Sequence, residues 1–145
     1  MDLKTAAQIA ASAMSAQRLR LNLISSNLAN AHTTRTSEGG PYKRKDAIFI
    51  PQSIEDDGQS NAFMDYFKNE VAKGVKVARI QETPDYKMVY DPYHPDANPE
   101  GYVVMPNINV VEEMVDLLST SRSYEANVQA VRTLKAMAEE ALKIG

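Results

Sequence analysis

The sequence predicts an α+β protein in which long N- and C-terminal α-helices flank a small β-rich middle domain. Apolar residues recur at a period of 3.5 near both ends of the 145-residue chain, a pattern typical of helices that pack as coiled coils. Between the two ends, short alternating segments and closely spaced prolines favour strands and loops over helix. We therefore expect an N-terminal helix within 1–34, a β-rich domain over 35–106 and a C-terminal helix within 107–145.

The N-terminal helix is predicted from a seam, a row of residues spaced by four and three that would face one partner helix. Because neither Gly nor Pro occurs before Gly39, about 29 residues can form one helix of about 44 Å. Asn27, Asn30 and the run 32–34 (His-Thr-Thr) favour caps and turns, so we expect the helix to end there. The seam consists of Leu3, Ala7, Ala10, Met14, Gln17, Leu21, Ile24, Leu28 and Ala31.

The middle domain carries the strand signals. Residues 75–80 and 86–90 read as strands joined by a turn at 83–85 (Thr-Pro-Asp). Weaker strand candidates are 47–50 and 102–105.

The remainder of the middle domain is predicted to be irregular. Prolines at 92, 95 and 99 forbid regular structure over 91–101. Residues 56–61 form a polar linker and 61–73 a candidate short helix.

The C-terminal helix has a defined start. Asn109 is a good N-cap, with Glu112 three residues later in the manner of a capping box, and Pro106 lies just before it. About 34 residues then form a helix of about 51 Å. Its seam consists of Val110, Met114, Leu117, Ser121, Tyr124, Val128 and Val131, and continues through Leu134, Ala138 and Ala141 with Met137 and Leu142 alongside.

Val111, Val115 and Leu118 form a second apolar row beside this seam. Helices of this length extend beyond so small a middle domain, and long helices in water depend on packing of their apolar face. The two helices can pair along one seam each, but the second row then needs another partner, so we expect packing against other chains. The predicted subunit-packing residues are Met14, Leu21, Ile24, Leu28, Val110, Met114, Leu117, Tyr124, Val128 and Val131.

Composition excludes several function classes. The net charge of −3 argues against nucleic-acid binding, and the absence of Cys removes disulfides and thiolate chemistry. No stretch has the roughly 20 apolar residues that span a bilayer. Polar residues interrupt the apolar run 6–14, and the seam continues past it, so we expect helix there and no cleaved signal peptide.

No catalytic, cofactor-binding or metal-binding residue is predicted. His94 lies between Asp91 and Asp96, but the chain has only one other His to complete a metal shell. A hydrolase that uses His94 with one of these carboxylates is the enzymatic alternative. Ser119, Ser121 and Ser123 lack a His–Asp partner and are interpreted as small residues at helix contacts.

The charged residues are interpreted as structural. Glu112 and Glu113 occupy the first turn of a helix, where the helix dipole favours carboxylates. Residues 1–50 carry seven Lys/Arg against three Asp/Glu, whereas 51–145 carry nine against sixteen. The cluster Lys43, Arg44 and Lys45 is therefore a candidate electrostatic contact with an acidic neighbouring subunit.

Seven runs of the chain are specific enough to compare with known families. They are 12–18 (SAMSAQR), 22–30 (NLISSNLAN), 39–42 (GGPY), 90–96 (YDPYHPD), 100–103 (EGYV), 106–116 (PNINVVEEMVD) and 121–128 (SRSYEANV). The first two runs resemble the N-terminal signature of the bacterial flagellar rod and hook family, and the others narrow the resemblance to its proximal-rod members. His32 departs from the Asn usual at that position of the family, and residues 52–74 match no part of it, so we expect them to form a variable surface excursion.

The resemblance implies a structural protein of the flagellar basal body. It would be exported without a cleaved signal peptide by the flagellar type III apparatus and would assemble, through its terminal helices, into the rod that crosses the periplasm and transmits torque to the hook. The implied partners are further copies of the chain, other proximal-rod subunits, the membrane-ring junction protein and the distal rod, with no cofactor or small-molecule substrate. A coiled-coil adaptor that forms a discrete oligomer is the alternative from the seams alone.

Overall fold

The computed structural model describes residues 3–54 and 73–144, and its α+β layout confirms the predicted fold class. Two long helices flank a small antiparallel β region and pack against each other. The candidate short helix in 61–73 and the linker 56–61 lie almost wholly outside the described residues. The elements are α1 (Leu3–Ala29), β1 (Arg44–Ser53), β2 (Lys73–Thr83), β3 (Tyr86–Tyr90), β4 (Tyr102–Pro106) and α2 (Val110–Ile144).

Both helix boundaries follow the local signals in the sequence. After α1 ends at Ala29, the side-chain amide of Asn30 donates to the carbonyl of Ser26 at 2.9 Å, which satisfies one carbonyl of the last turn. At the start of α2, the backbone amide of Val111 donates to Oδ1 of Asn109 at 3.1 Å. Asn109 is thus the N-cap, as predicted.

Strands β1 and β2 form an antiparallel ribbon that runs along α1. Oγ of Ser12 accepts a hydrogen bond from the Val75 amide at 3.1 Å, and the Arg20 guanidinium lies 4.4 Å from the centre of the Phe49 ring. Farther along α1, Asn27 bonds the backbone of Lys45. From Ser12 to Asn27 the helix rises about 22 Å. In β1, the six residues that follow Lys45, as far as Pro51, which pairs with Val75, span about 20 Å. The strand and the helix therefore cover nearly the same length between the two contacts.

Gly74 makes this close approach possible. A Cβ atom at this position would lie 2.7 Å from Oγ of Ser12, which is shorter than any ordinary contact. The ribbon therefore covers α1 from about its first third to its last turn, whereas the N-terminal turns extend beyond it.

Strands β3 and β4 form a second two-stranded antiparallel sheet, with Tyr86 opposite Pro106 and Tyr90 opposite Tyr102. The turn predicted at 83–85 is present, but it forms a corner between two sheets, because β2 pairs with β1 along its whole length. The proline-containing connection 91–101 has no helix or strand, as predicted. It closes at Gly101, whose φ of 82° favours glycine and where a Cβ would lie 2.9 Å from the Tyr90 ring.

The best-buried part of the molecule is where α1 ends and α2 begins. Ala31, Tyr42 and Ile108 form an apolar cluster there, with Val110 packed against it. Leu23, Ile24 and Asn27 of α1 are buried nearby, together with Glu113 and Thr120 of α2. From residue 121 to residue 143, no residue of α2 is buried.

Candidate subunit-packing surfaces

The predicted packing residues of α1 lie on its covered side. Ile24 is buried, and Met14, Leu21 and Leu28 are half-buried. Substitution of Ile24 would therefore destabilise the fold of the single chain, whether or not it also affects contacts between chains.

The predicted packing residues of α2 divide into two groups. Val110, Leu117, Tyr124, Val128 and Val131 are half-buried. Met114, by contrast, is 52% exposed, because the helix turns Glu113 inward in the same turn.

Met114 belongs instead to the second apolar row. Val111, Met114, Val115 and Leu118 follow the spacing i, i+3, i+4, i+7 and form one stripe, which we call the outer α2 row. Each of the four side chains is more than half exposed, from 52% for Met114 to 69% for Val111. The single chain thus leaves uncovered the row for which the sequence predicts a second partner.

The sequence reasoning did not single out another exposed apolar surface, which lies on the β3–β4 sheet. Tyr86, Met88 and Tyr90 alternate along β3 and are exposed, as are Tyr102 and Val104 on β4. The rings of Tyr90 and Tyr102 pack edge to face with their centres 5.3 Å apart. The alternation along 86–90 was the available signal, since one face of such a strand is outward.

The basic cluster predicted to contact a neighbour has acidic partners within the chain. Nζ of Lys45 lies 3.3 Å and Nζ of Lys43 lies 3.9 Å from the Glu82 carboxylate across the β1–β2 ribbon. Arg44 pairs with Glu113 and Asp46 instead. A contact with another subunit stays a prediction for all three residues.

Asn27 is the centre of a buried polar network. Its Nδ2 donates to the Lys45 carbonyl at 3.0 Å and to Oε2 of Glu113 at 3.3 Å. Its Oδ1 accepts from the Lys45 amide at 3.0 Å and from the Tyr42 hydroxyl at 3.1 Å. All the hydrogen-bonding capacity of this fully buried side chain is used, so the network links α1, β1 and α2 without an unpaired amide group.

Glu113 completes the network with two acceptor oxygens. Oε2 faces Asn27, whereas Oε1 accepts from Nε of Arg44 at 2.6 Å, and the residue is only 2% exposed. Burial by itself lowers the pKa of Arg44. The hydrogen bond to Glu113 and the charges of Asp46, Glu113 and Asp116 outweigh burial and raise that pKa above its ordinary value. The guanidinium is therefore held firmly in its charged form.

The sequence reasoning missed this network because each member has a plausible local explanation. Asn27 suits a helix end, Glu113 suits a first helical turn, and Arg44 suits a basic surface patch. One signal was available, since Asn27 lies three residues after Ile24 and four before Ala31, on the apolar side of the helix.

The residues considered for chemistry serve local structure. Nδ1 of His94 accepts a hydrogen bond from the Asp96 amide at 3.1 Å, and Asp91 accepts one from the Tyr93 amide. Oγ of Ser123 donates to the Ser119 carbonyl within α2. Among residues 3–54 and 73–144, no three His, Asp or Glu side chains are grouped to hold a metal ion. No helix in the described parts of the chain is long and apolar enough to cross a membrane.

Comparison with known proteins identifies both ends of the chain. Residues 8–35 match the model of the flagella basal body rod protein family, and residues 100–144 match that of the flagellar basal body rod FlgEFG protein C-terminal region. The flagellar basal-body rod protein FlgC of Borreliella burgdorferi is 42% identical over 149 residues, which cover 99% of this chain and 98% of that protein. FlgC of Bacillus subtilis is 46% identical over 147 residues, which cover 94% of each chain. The chain belongs to the FlgC family of flagellar basal-body rod proteins.

Proposed function

We propose that the chain is a structural subunit of the bacterial flagellar basal-body rod, and that it joins its neighbours through the outer faces of its terminal helices. The outer α2 row is the observation that supports this mode of contact with neighbouring chains. Four large apolar side chains on one stripe of a helix stay more than half exposed in the single chain. A contiguous apolar surface of this kind is typical of a protein–protein contact.

The mechanical role follows from the helix pair. A rod that transmits torque needs subunits that resist twisting, and close-packed side chains resist deformation because each rearrangement loses contacts. Helices of 27 and 35 residues, packed side by side, extend this resistance along the rod. A tube of such subunits is an open assembly in which different surfaces of neighbouring chains meet.

The proposed partners are further copies of the chain, other proximal-rod subunits, the membrane-ring junction protein and the distal rod. Family membership supports a location in the flagellar basal body. We further propose that the chain is exported by the flagellar type III apparatus without a cleaved signal peptide and lies in the part of the rod that crosses the periplasm.

The outer α2 row provides the test, because its exposed side chains can be changed without disturbing the buried contacts of the fold. We expect Leu118→Asp to abolish rod assembly and swimming in cells that depend on this chain, while the purified variant keeps the helix content of the unaltered chain. Gln129→Asp, also exposed on α2 but outside the row, is the matched control and should swim normally. Normal swimming of the Leu118→Asp cells would contradict the role of this row.

Sizing of the purified chain separates this proposal from the coiled-coil adaptor. An adaptor would form a stable dimer or trimer through its seams. A rod subunit whose neighbours are absent should remain a monomer. The family assignment does not favour the adaptor.

A further inference from the structure

The contact between α1 and α2 includes small or polar residues at several places, beside the larger apolar residues of the two seams. Toward the N-terminus of α1, an open groove between the helices is lined by Ala6, Ile9 and Ala10 on one side and by Ala130 and Leu134 on the other. Between residues 110 and 143 of α2, the two buried residues are Glu113 and Thr120, seven positions apart. Small side chains give a helix a flat packing surface. Where they line the contact, apolar packing by itself distinguishes poorly between neighbouring alignments of the two helices.

Two contacts nevertheless show that one antiparallel alignment of α1 and α2 is kept along the helix pair. Ala10 and Ala130 line the same groove, and Asn27 bonds Glu113. Seventeen positions separate the two contacts on either helix, so the antiparallel alignment is kept over about 25 Å. The polar contact lies at the well-buried end of the pair.

A shift of α2 by one helical turn would break this contact. Glu113 would move by about 5 Å along α1, out of reach of Nδ2 of Asn27. Asn27 cannot follow, because the backbone of Lys45 fixes its carboxamide through both Oδ1 and Nδ2. One N–H group of the buried Asn27 amide would then lose its acceptor, and the buried carboxylate of Glu113 would lose its donor on α1, which is costly.

We propose that Asn27, Glu113 and Arg44 form a register lock, which selects one alignment of α1 on α2 and fixes the point where β1 leaves the helix pair. This is a property of the single chain and does not depend on rod assembly. A polar residue that pairs only in the correct alignment is an established way for helices with an apolar seam to specify register.

The chemistry of the lock requires a carboxylate at position 113. The fixed orientation of Asn27 presents an N–H donor to this position, and Arg44 presents a second N–H donor. Only a carboxylate offers an acceptor oxygen to each, whereas the amide of a glutamine would turn its NH₂ group toward one of the two donors. The charge-exchanged pair Arg44→Glu with Glu113→Arg should therefore fail to restore the lock, because Asn27 would then face a further donor.

The test measures the alignment directly. The chain has no Cys, so cysteines introduced at exposed Ser25 and Ala136 can carry two spin labels without other labelling sites. Pulsed electron–electron double resonance on the full purified chain should give one narrow distribution of distances between the two labels. Asn27→Leu should add a second population displaced by about 5 Å, the rise of one helical turn. Glu113→Gln should produce the same displaced population to a smaller extent.

Matched controls separate loss of the lock from general disturbance. Asn22→Leu and Glu112→Gln make the same changes at exposed positions of the same helices and should keep the single narrow distribution. A single unshifted distribution in both lock variants would overturn the proposal, as would a broad distribution in the unaltered chain. Loss of helix in both variants without a displaced population would also overturn it, because the network would then support folding without selecting register.

Discussion

The two ends of the helix pair differ in how they are held. At the junction end, where α1 finishes and α2 starts, Asn27, Glu113 and Tyr42 are buried and hydrogen-bonded, and the cluster around Ile108 lies beside them. At the open end, over residues 121–143 where burial is described, α2 has no buried residue. The interior of the junction end is thus completed by this chain alone, although the outer α2 row stays exposed on its outside, whereas the open end of α2 contributes no such interior over residues 121–143. Assembly would not require the junction to rearrange.

The largest expected effect comes from breaking the junction end at Glu113. Glu113→Ala removes the acceptor of one N–H group of the buried Asn27 amide and one of the two carboxylate partners of Arg44. Loss of the acceptor of a buried N–H group costs about 1–3 kcal/mol, and loss of the charged hydrogen bond to Arg44 adds about 1.5 kcal/mol, since Arg44 is a third exposed and keeps Asp46. We expect a loss of this size in the free energy of unfolding, measured by urea titration. Glu112→Ala, on the exposed side of the same turn, should cost less than about 1 kcal/mol. Equal losses in the two variants would argue against a special role for the network.

An apolar truncation compares the two ends directly. Ile24 is 6% exposed at the junction end, whereas Leu142 is 82% exposed at the open end. Ile24→Ala should reduce the free energy of unfolding by about 2–3 kcal/mol, since it removes buried methylene groups and leaves a cavity. Leu142→Ala should change it by less than about 0.5 kcal/mol. Thermal or urea unfolding of the two purified variants provides the comparison, and a large loss in the Leu142 variant would show that the open end is already packed in the single chain.

The smallest expected effect is a gain at the middle of α1. Oε1 of Gln17 is buried without a hydrogen-bond partner in residues 3–54 and 73–144. Because an unpaired buried acceptor is unfavourable, Gln17→Leu should raise the free energy of unfolding by about 1 kcal/mol. Gln8→Leu, at an exposed position of the same helix, is the control and should leave it nearly unchanged. A loss of stability in the Gln17 variant would mean that its amide makes a necessary contact.

The outer α2 row shows what the spacing of apolar residues along a helix can predict. The spacing of Val111, Val115 and Leu118 predicted a second partner, and the structure leaves all three exposed. At Met114 the spacing allows two paths, because a seam of the same period can pass through either Met114 or Glu113. Within the single chain Glu113 is the buried residue of that turn, since Asn27 and Arg44 supply its partners, and Met114 stays a predicted subunit-packing residue on the outer α2 row.

Local signals were sufficient to predict the two long helices, the Asn109 cap, the end of α1 and the irregular connection over 91–101. These features depend on residues close together in the chain, so their physical cause is visible locally, whereas the family resemblance came from runs spread along the whole chain. The pairing of the strands, the position of the β1–β2 ribbon along α1 and the burial of particular polar side chains became visible only in the tertiary structure. Asn27 and Glu113 are 86 positions apart, and a buried polar pair forms only where the fold brings donor and acceptor together and excludes water.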